Sequence, residues 1–431
     1  MSASPPAQSG RSGAGSAPAR RPIQGLTRDE LASFLKDAAE PAFRLDQVLS
    51  WVHARRADRW DEMSNLPKTL RSRLAEAFDC ALPELVRHQG SVDTTQKFLW
   101  RLRDGALIES VLIPANPALF SDRSDRHTLC VSTQVGCAYG CRFCASGLDG
   151  WKRNLTADEI IGQVHAVERW HLRRGASGPP ETATASASAT ESESVSPVPD
   201  PLPSRPRTAP PSARLIDNLV IMGMGEPLAN YDNLLRALRI LNAPWGGGIG
   251  ARKITVSTSG LVPQIRRLAE EPEQFRLAIS LHGATDAVRN RIMPVNRKHP
   301  LADLAAACSH YLERKGRMIT FEYILLAGVN DAFDQVQPLA ALARRLHAKV
   351  NLIPYNAVEG LPWKRPDDAQ CAAFAKHLER LDVTTTLRIE KGHDIDAACG
   401  QLRLKTEREE RREPAASSSV PSPADPAVQA E

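Results

Sequence analysis

The run Thr128-Leu129-Cys130-Val131-Ser132-Thr133-Gln134-Val135-Gly136-Cys137-Ala138-Tyr139-Gly140-Cys141-Arg142-Phe143-Cys144 decides how the rest of the chain is read. Its first part, Thr128–Thr133, reads as a strand. Directly after it comes the spacing C-x3-C-x2-C, with Cys137, Cys141 and Cys144 crowded into eight residues. Thiolates this close can grip one inorganic cluster from a single loop. A 4Fe–4S cubane held by three cysteines keeps one iron open, which suits catalysis better than a structural role. Gly136 and Gly140 let the backbone fold tightly around the metal. The competing reading is zinc, which normally takes four protein ligands. No fourth Cys or His falls at that spacing, and His127 and Cys130 lie before and within the strand.

Downstream, strands alternate with helical stretches. Further strands are expected at Asn218–Met222, Ile254–Ser257, Arg276–Leu281, Thr320–Leu325 and Val350–Pro354, with another near Leu387–Glu390. A helix over 157–174 opens with the capping box Thr156–Glu159. Repeated strand–helix units predict an α/β fold with a parallel sheet or barrel, whose chemistry sits at the C-terminal strand ends. Polar residues recur at those ends: Gly223-Met224-Gly225-Glu226-Pro227, then Ser257-Thr258-Ser259-Gly260, Ser280-Leu281-His282 and Asn356. Glycines let a ligand approach the backbone, and a carboxylate such as Glu226 can accept from an ammonium, although a Gly-rich turn alone is usually just a turn. A ligand-lined barrel mouth requires this recurrence.

Upstream, residues 83–114 read as short strands. Ala106–Pro114 is apolar on both faces with Glu109 as its only charge. Burial would raise the pKa of that carboxylate and make it a better base near neutral pH; at a solvent-facing sheet edge it would be ordinary. Residues 23–80 read as a helical module, with a capping box at Thr27–Glu30 followed by Leu31, Phe34 and Leu35. A second helix carries Val48, Leu49, Trp51 and Val52, and a third Leu66, Leu70, Leu74 and Phe78. Its basic outer faces read by default as solvated surface.

Composition sets the outer limits. With 42% hydrophobic and 24% charged residues among 431, the chain can build a sizeable core. No apolar run is long enough to span a membrane. The first 22 residues are mostly Ser, Ala, Gly, Pro and Arg, a disordered arm rather than a secretory signal, so a cytoplasmic protein is expected. The eight cysteines then read as reduced, metal-bound or catalytic rather than as a disulfide framework. Cys80, Cys308 and Cys371 lie in helical patterns and read as core thiols, as Cys130 would by itself; Cys399 follows a Gly/His/Asp-rich loop, a more exposed place. A net charge of +5 is compatible with RNA without requiring it. Residues 176–213, rich in Ala, Ser, Thr, Glu and Pro, read as a disordered insertion, and the tail after about Glu407 is similarly biased.

The cysteine motif, with an aromatic residue before its last cysteine, resembles the radical S-adenosylmethionine superfamily, whose fold is a partial (β/α)6 TIM-like barrel. In that superfamily the free iron chelates the cofactor, and one electron cleaves it to a 5′-deoxyadenosyl radical. The stretch Thr128–Cys137 more closely resembles the RlmN/Cfr family of RNA adenine methyltransferases. So do Gly223–Pro227, Val256–Gly260, Ile279–His282, Asn351–Asn356 and Asp394–Leu402, in family order. The 176–213 insertion and the extended ends depart from the family pattern without removing a motif.

Composition gives a disordered arm at 1–22 and a disordered tail at 404–431; the resemblance implies a helical RNA-binding accessory domain at 23–95 and a catalytic barrel at 96–403, which carries the insertion at 176–213. It implies cofactor contacts at Gly225, Glu226, Ser257, Ser280, Leu281, His282 and Asn356, and a 4Fe–4S cluster on Cys137, Cys141 and Cys144. Carbon 2 of adenine is electron-poor and will not attack a sulfonium methyl, so a radical route is sensible there. Two S-adenosylmethionine molecules would serve each turnover. The first methylates Cys399, and the second yields the radical that activates that methyl for addition to the ring. Glu109 would remove the ring proton. Cys130 then releases the product, leaving a Cys130–Cys399 disulfide.

Implied partners are 23S rRNA near the peptidyl-transferase centre, tRNA beside the anticodon, and an electron donor such as flavodoxin or ferredoxin. The protein is expected to be a monomer. Lys152, Arg153, Arg291, Arg297 and Lys298 are the expected phosphate contacts. Three rivals stay open: methylation at carbon 8, as in the antibiotic-resistance branch; a non-catalytic iron–sulfur RNA-binding protein, which would not need both Cys130 and Cys399; and radical chemistry on a small metabolite, which leaves the helical module without a purpose.

Overall fold

The first helix begins where the capping box predicts. Glu30 N–H donates to Thr27 Oγ1 (3.2 Å) and Thr27 N–H to Glu30 Oε2 (2.7 Å), which starts α1 (Arg28–Asp37). α2 (Phe43–Leu49) and α3 (Lys68–Ala77) join it, and Leu31, Leu35, Val48, Leu49, Leu70 and Leu74 share a small core of their own. A parallel bridge between β1 (Arg21–Pro22) and β2 (Phe78–Asp79) ties the ends of this module together. This is a computed structural model, and it describes residues 20–114, 126–176, 214–388 and 400–412. Most of the expected N-terminal arm, the insertion beyond Ala176, Cys399 and the end of the tail lie outside the described residues.

The helical module stops short of the expected boundary at 95. β3 (Glu84–Gly90) already belongs to the main sheet, where it runs antiparallel to β4 (Gln96–Arg101), and β4 antiparallel to β5 (Leu107–Pro114). β5 pairs antiparallel with β6 (His127–Cys130). A separate antiparallel pair, β7 (Gln134–Gly136) and β8 (Trp151–Asn154), follows β6. From β6 the main sheet continues in parallel through β9 (Asn218–Ile221), β10 (Ile254–Thr258), β11 (Arg276–Ser280), β12 (Thr320–Leu325), β13 (Lys349–Pro354) and β14 (Thr385–Leu387). The ten strands form one open sheet with β3 and β14 at its edges.

The connections are helical: α4 (Ala157–Ala176), α5 (Tyr231–Asn242), α6 (Val262–Glu270), α7 (Asp286–Ile292), α8 (Leu301–Lys315), α9 (Val336–Arg345) and α10 (Asp368–Glu379). Crossover helices cover a parallel sheet, so its strands carry buried residues such as Val256, Ile279, Phe321 and Leu352. The expected partial barrel is therefore present, extended by three antiparallel strands. No helix among the described residues is long and apolar enough to cross a membrane.

The expected disordered tail from 404 is corrected. α11 (Gln401–Arg412) is a helix. Leu402 packs with Leu99 and Leu107. Glu409 pairs with Arg87 at 2.7 Å, Glu410 with Arg101 at 2.8 Å, and Arg403 with Glu407 one turn on at 3.0 Å. Its density of charge reads as solvation in the sequence; the partners on β3 and β4 come from far away in the chain.

The helical module meets α4 through a buried seam. The His53 and His165 rings pack edge-on with centroids 5.2 Å apart, beside an Arg56–Glu168 pair at 3.4 Å. Burial holds His53 down to about 3 and His165 well below the usual histidine value, the latter also repelled by His53 and Arg56. The unfolded chain protonates near 6.5 and the folded chain does not, so stability is lost as pH falls below about 6.5, by roughly 1.4 kcal/mol per pH unit for each ring. The thermal midpoint is expected to fall steadily from pH 7 to pH 5. His165→Phe should flatten that fall; scanning calorimetry across the range, with an unchanged slope in the variant, would refute the assignment.

Candidate active site

The cysteine loop hangs from the β7–β8 pair. Gly136 sits at φ +76°, and a Cβ there would lie 1.9 Å from the Gly150 carbonyl oxygen. That close approach lets Cys137 N–H donate to Gly150 O at 3.1 Å, closing the loop at its base. The far side is fixed by Arg142 N–H on Ile292 O (2.9 Å) and Trp363 Nε1–H on Arg142 O (2.7 Å).

Cys137, Cys141 and Cys144 all line a cavity of about 360 Å³ at the C-terminal ends of the parallel strands. Among the described residues no three His, Cys, Asp or Glu groups converge as a single-ion site would need. Three thiols spread along a cavity wall fit a polynuclear cluster instead. Burial pushes Cys137 up to about 12 and Cys141 well above the usual thiol range, so it is ligation to iron that would hold them as thiolates. Cys80, Cys137, Cys141, Cys308 and Cys371 are free thiols.

The strand ends supply a second wall. Gly225 (φ +99°) would carry a Cβ 2.5 Å from Gln134 Cβ, so the turn needs glycine. Glu226 accepts from Thr258 Oγ1 (2.7 Å), Ser259 N–H (2.7 Å) and Leu228 N–H (3.0 Å). Burial nevertheless raises its pKa, outweighing those donors; a cationic ligand group is what such a carboxylate lacks. Ser257 and Ser280 hydroxyls lie 3.3 Å apart. His282 Nδ1 accepts from Ile324 N–H at 3.0 Å, so Nε2 carries the ring proton. Burial holds its pKa down to about 3, keeping it neutral. Phe143, from the cysteine loop, packs edge-on against that ring at 5.0 Å. Asn356 also lines the cavity.

A third wall comes from the antiparallel strands. Register pairs Lys97 with Val111, Val111 with Cys130 and Leu99 with Glu109, so all five residues share one sheet face. Val111 and Cys130 line the cavity. Glu109, instead of facing solvent, is buried with Lys97 Nζ at 3.1 Å from Oε2. Its carboxylate also accepts from Gly400 N–H (2.7 Å) and Arg403 N–H (2.6 Å), donors that the first turn of α11 leaves unpaired. Gly400 directly follows Cys399 in the chain.

The Leu281 side chain lies in the core, its N–H is on Glu322 O (3.0 Å) and its carbonyl takes Arg289 Nε–H (3.0 Å), so of Ser280-Leu281-His282 the first and last reach the cavity. Arg153 is committed to Glu159 (2.7 and 2.9 Å) and Asp104 (2.7 Å), so it is not a ready phosphate contact, whereas Lys152, paired with Glu407 at 3.5 Å, stays exposed. Arg291, Arg297 and Lys298 are exposed. The sequence reading missed Glu322, a buried cavity residue that accepts from Asn351 Nδ2 at 2.6 Å and whose pKa burial raises. The signal was there: Thr320–Leu325, like the strand around Glu109, carries one acid among apolar residues.

Known proteins share this arrangement along nearly the whole chain. Residues 22–79 match the ribosomal RNA large subunit methyltransferase N-terminal domain, and residues 212–337 match the radical SAM superfamily. A probable dual-specificity RNA methyltransferase RlmN 3 of Opitutus terrae is 52% identical over 392 residues, 91% of this chain and 96% of the relative. A dual-specificity RNA methyltransferase RlmN of Anaeromyxobacter dehalogenans is 44% identical over 88% of this chain and 91% of its own length. The crystal structure of a radical SAM methyltransferase from Sphaerobacter thermophilus superposes with a TM-score of 0.75 at 40% identity, covering 88% of this chain and 98% of that one. The chain belongs to the RlmN family of radical S-adenosylmethionine RNA methyltransferases.

Proposed function

We propose that this RNA methyltransferase modifies carbon 2 of adenine, in 23S rRNA at the peptidyl-transferase centre and in tRNA beside the anticodon. The family implies a 4Fe–4S cluster and S-adenosylmethionine. One observation carries the reading: Glu109 shares a buried sheet face with Cys130 while holding the N–H of Gly400, the residue after Cys399. A base and two thiols are what a covalent route to an electron-poor ring carbon needs.

Bound at Cys137, Cys141 and Cys144, the cluster with two molecules of S-adenosylmethionine per turnover supplies the methyl group and the radical chemistry. Glu226 takes the cofactor's ammonium, the charge its raised pKa calls for. Gly225 permits close approach, while Ser257, Ser280, Asn356 and the His282 Nε2–H offer polar contacts on the same cavity wall. Cys399 carries the methyl to the ring. Glu109 takes the ring proton: Lys97, Gly400 and Arg403 occupy three of about four carboxylate lone-pair positions, leaving one for it. Cys130, on that face, attacks the Cys399 sulfur: the sulfur–sulfur bond forms as the bond from that sulfur to the methylene carbon breaks, and the carbon keeps the electron pair and takes a proton to become the methyl group, leaving a transient disulfide. A flavodoxin or ferredoxin donor, a cytoplasmic location beside the ribosome and a monomeric state complete the proposal.

Anaerobic reaction of the reconstituted protein with reductant, methyl-labelled S-adenosylmethionine and either rRNA or tRNA should give labelled 2-methyladenosine by nucleoside mass spectrometry. Labelled 8-methyladenosine would overturn the carbon-2 assignment, and the RNA that carries label fixes the substrate range. Cys130→Ala should leave RNA covalently attached to protein on denaturing gels; free methylated RNA from that variant would remove Cys130 from the route. Glu226→Gln should weaken S-adenosylmethionine binding about tenfold or more, the scale of a charged hydrogen bond, and equilibrium dialysis giving wild-type affinity would refute its role.

A further inference from the structure

The strand face that carries Cys130 and Glu109 also carries a polar group that no step above uses. Thr95 stands at the end of the β3–β4 turn, one residue before β4 and two before Lys97. Its backbone is satisfied: Thr95 N–H donates to Asp93 Oδ1 (2.9 Å) and its carbonyl accepts from Ser91 N–H (2.8 Å). Its side chain is not. Thr95 is 1% exposed, Oγ1 has no hydrogen-bond partner, and the residue lines the cavity. A buried hydroxyl left unpaired is costly and rare, and a ligand is one way to satisfy it.

Its surroundings say what kind of ligand. β4 and β6 are separated by one strand, β5, which puts their backbones about 10 Å apart. Between Thr95 and Cys130 the floor is Val111 and Ile113, both on the cavity wall. A flat apolar floor with a thiol at one side and an unpaired hydroxyl at the other fits a purine lying on its face. Extruded from its RNA stack, such a base is read through hydrogen bonds at its edge.

We infer that Thr95 is a specificity-determining residue whose hydroxyl accepts a hydrogen bond from the exocyclic amine of the target adenine. The inference rests on the adenine reading above. A site built to bond a substrate N–H rejects an analogue that lacks it, because the site's own polar group is then left unpaired.

The test compares kcat/KM for a tRNA transcript carrying adenine at the methylated position with one carrying purine, which lacks the amine, for wild type, Thr95→Val and Thr95→Ser. Wild type should prefer adenine by about tenfold. Thr95→Val should bring the preference close to unity, Thr95→Ser should keep most of it, and the thermal midpoint of Thr95→Val should be unchanged or higher. An adenine preference that survives in Thr95→Val overturns the proposal. So does a lowered midpoint with the preference intact, which would make the hydroxyl structural. If wild type methylates neither transcript, nor rRNA, the adenine reading itself fails and takes this inference with it.

Discussion

The Lys97 ammonium and the Glu109 carboxylate stand 3.1 Å apart with neither reaching solvent. Two isolated charges at that depth would cost several kcal/mol each, and removing one partner of such a pair typically costs about 3–5 kcal/mol. The arrangement holds because the carboxylate is satisfied from a second direction, by the backbone N–H groups of Gly400 and Arg403. The first turn of α11 would otherwise bury unpaired donors, and Glu109 caps it from the strand face on which α11 packs. The pair thus joins two distant parts of the chain, and the antiparallel strands that carry it set the angle at which α11 arrives.

The cavity divides along the same line. Its parallel side, from β9 to β13, presents Glu226, Ser257, Ser280, Glu322 and Asn356, polar groups suited to a charged small molecule. Its antiparallel side presents Val111, Ile113, Cys130 and Thr95, a mostly apolar surface suited to an aromatic ring. The cysteine loop lies between, pinned to Gly150 at its base and to Ile292 at its tip. In the proposed reaction the cofactor would lie against the first side and the base against the second, with Cys137, Cys141 and Cys144 lining the same cavity.

Much of this was legible beforehand, and the reasons are local. The capping box at Thr27 declares its helix through residues three apart, and six parallel strands declare themselves as apolar runs ended by polar turns. Glu109 stood out as an acid in an apolar strand. Glu322 carries the same mark and was passed over, because its strand read as plain core. What could not be read is long-range. Nothing near Gln401 shows that Glu409 and Glu410 find arginines more than three hundred residues earlier, so the helix looked like a solvated tail. Arg153 likewise looks free for phosphate until Asp104 and Glu159 are seen around it.

The join between α4 and β9 has a different significance. Ala176 ends a helix and Asn218 starts a strand, so the chain re-enters the sheet at the N-terminal end of β9, the end remote from the sulfur loop and the cavity. Helix-to-strand joins of a parallel sheet lie at the end opposite its chemistry, so Ala176 and Asn218 mark an edge of the molecule that leaves the C-terminal mouth to the loops after each strand.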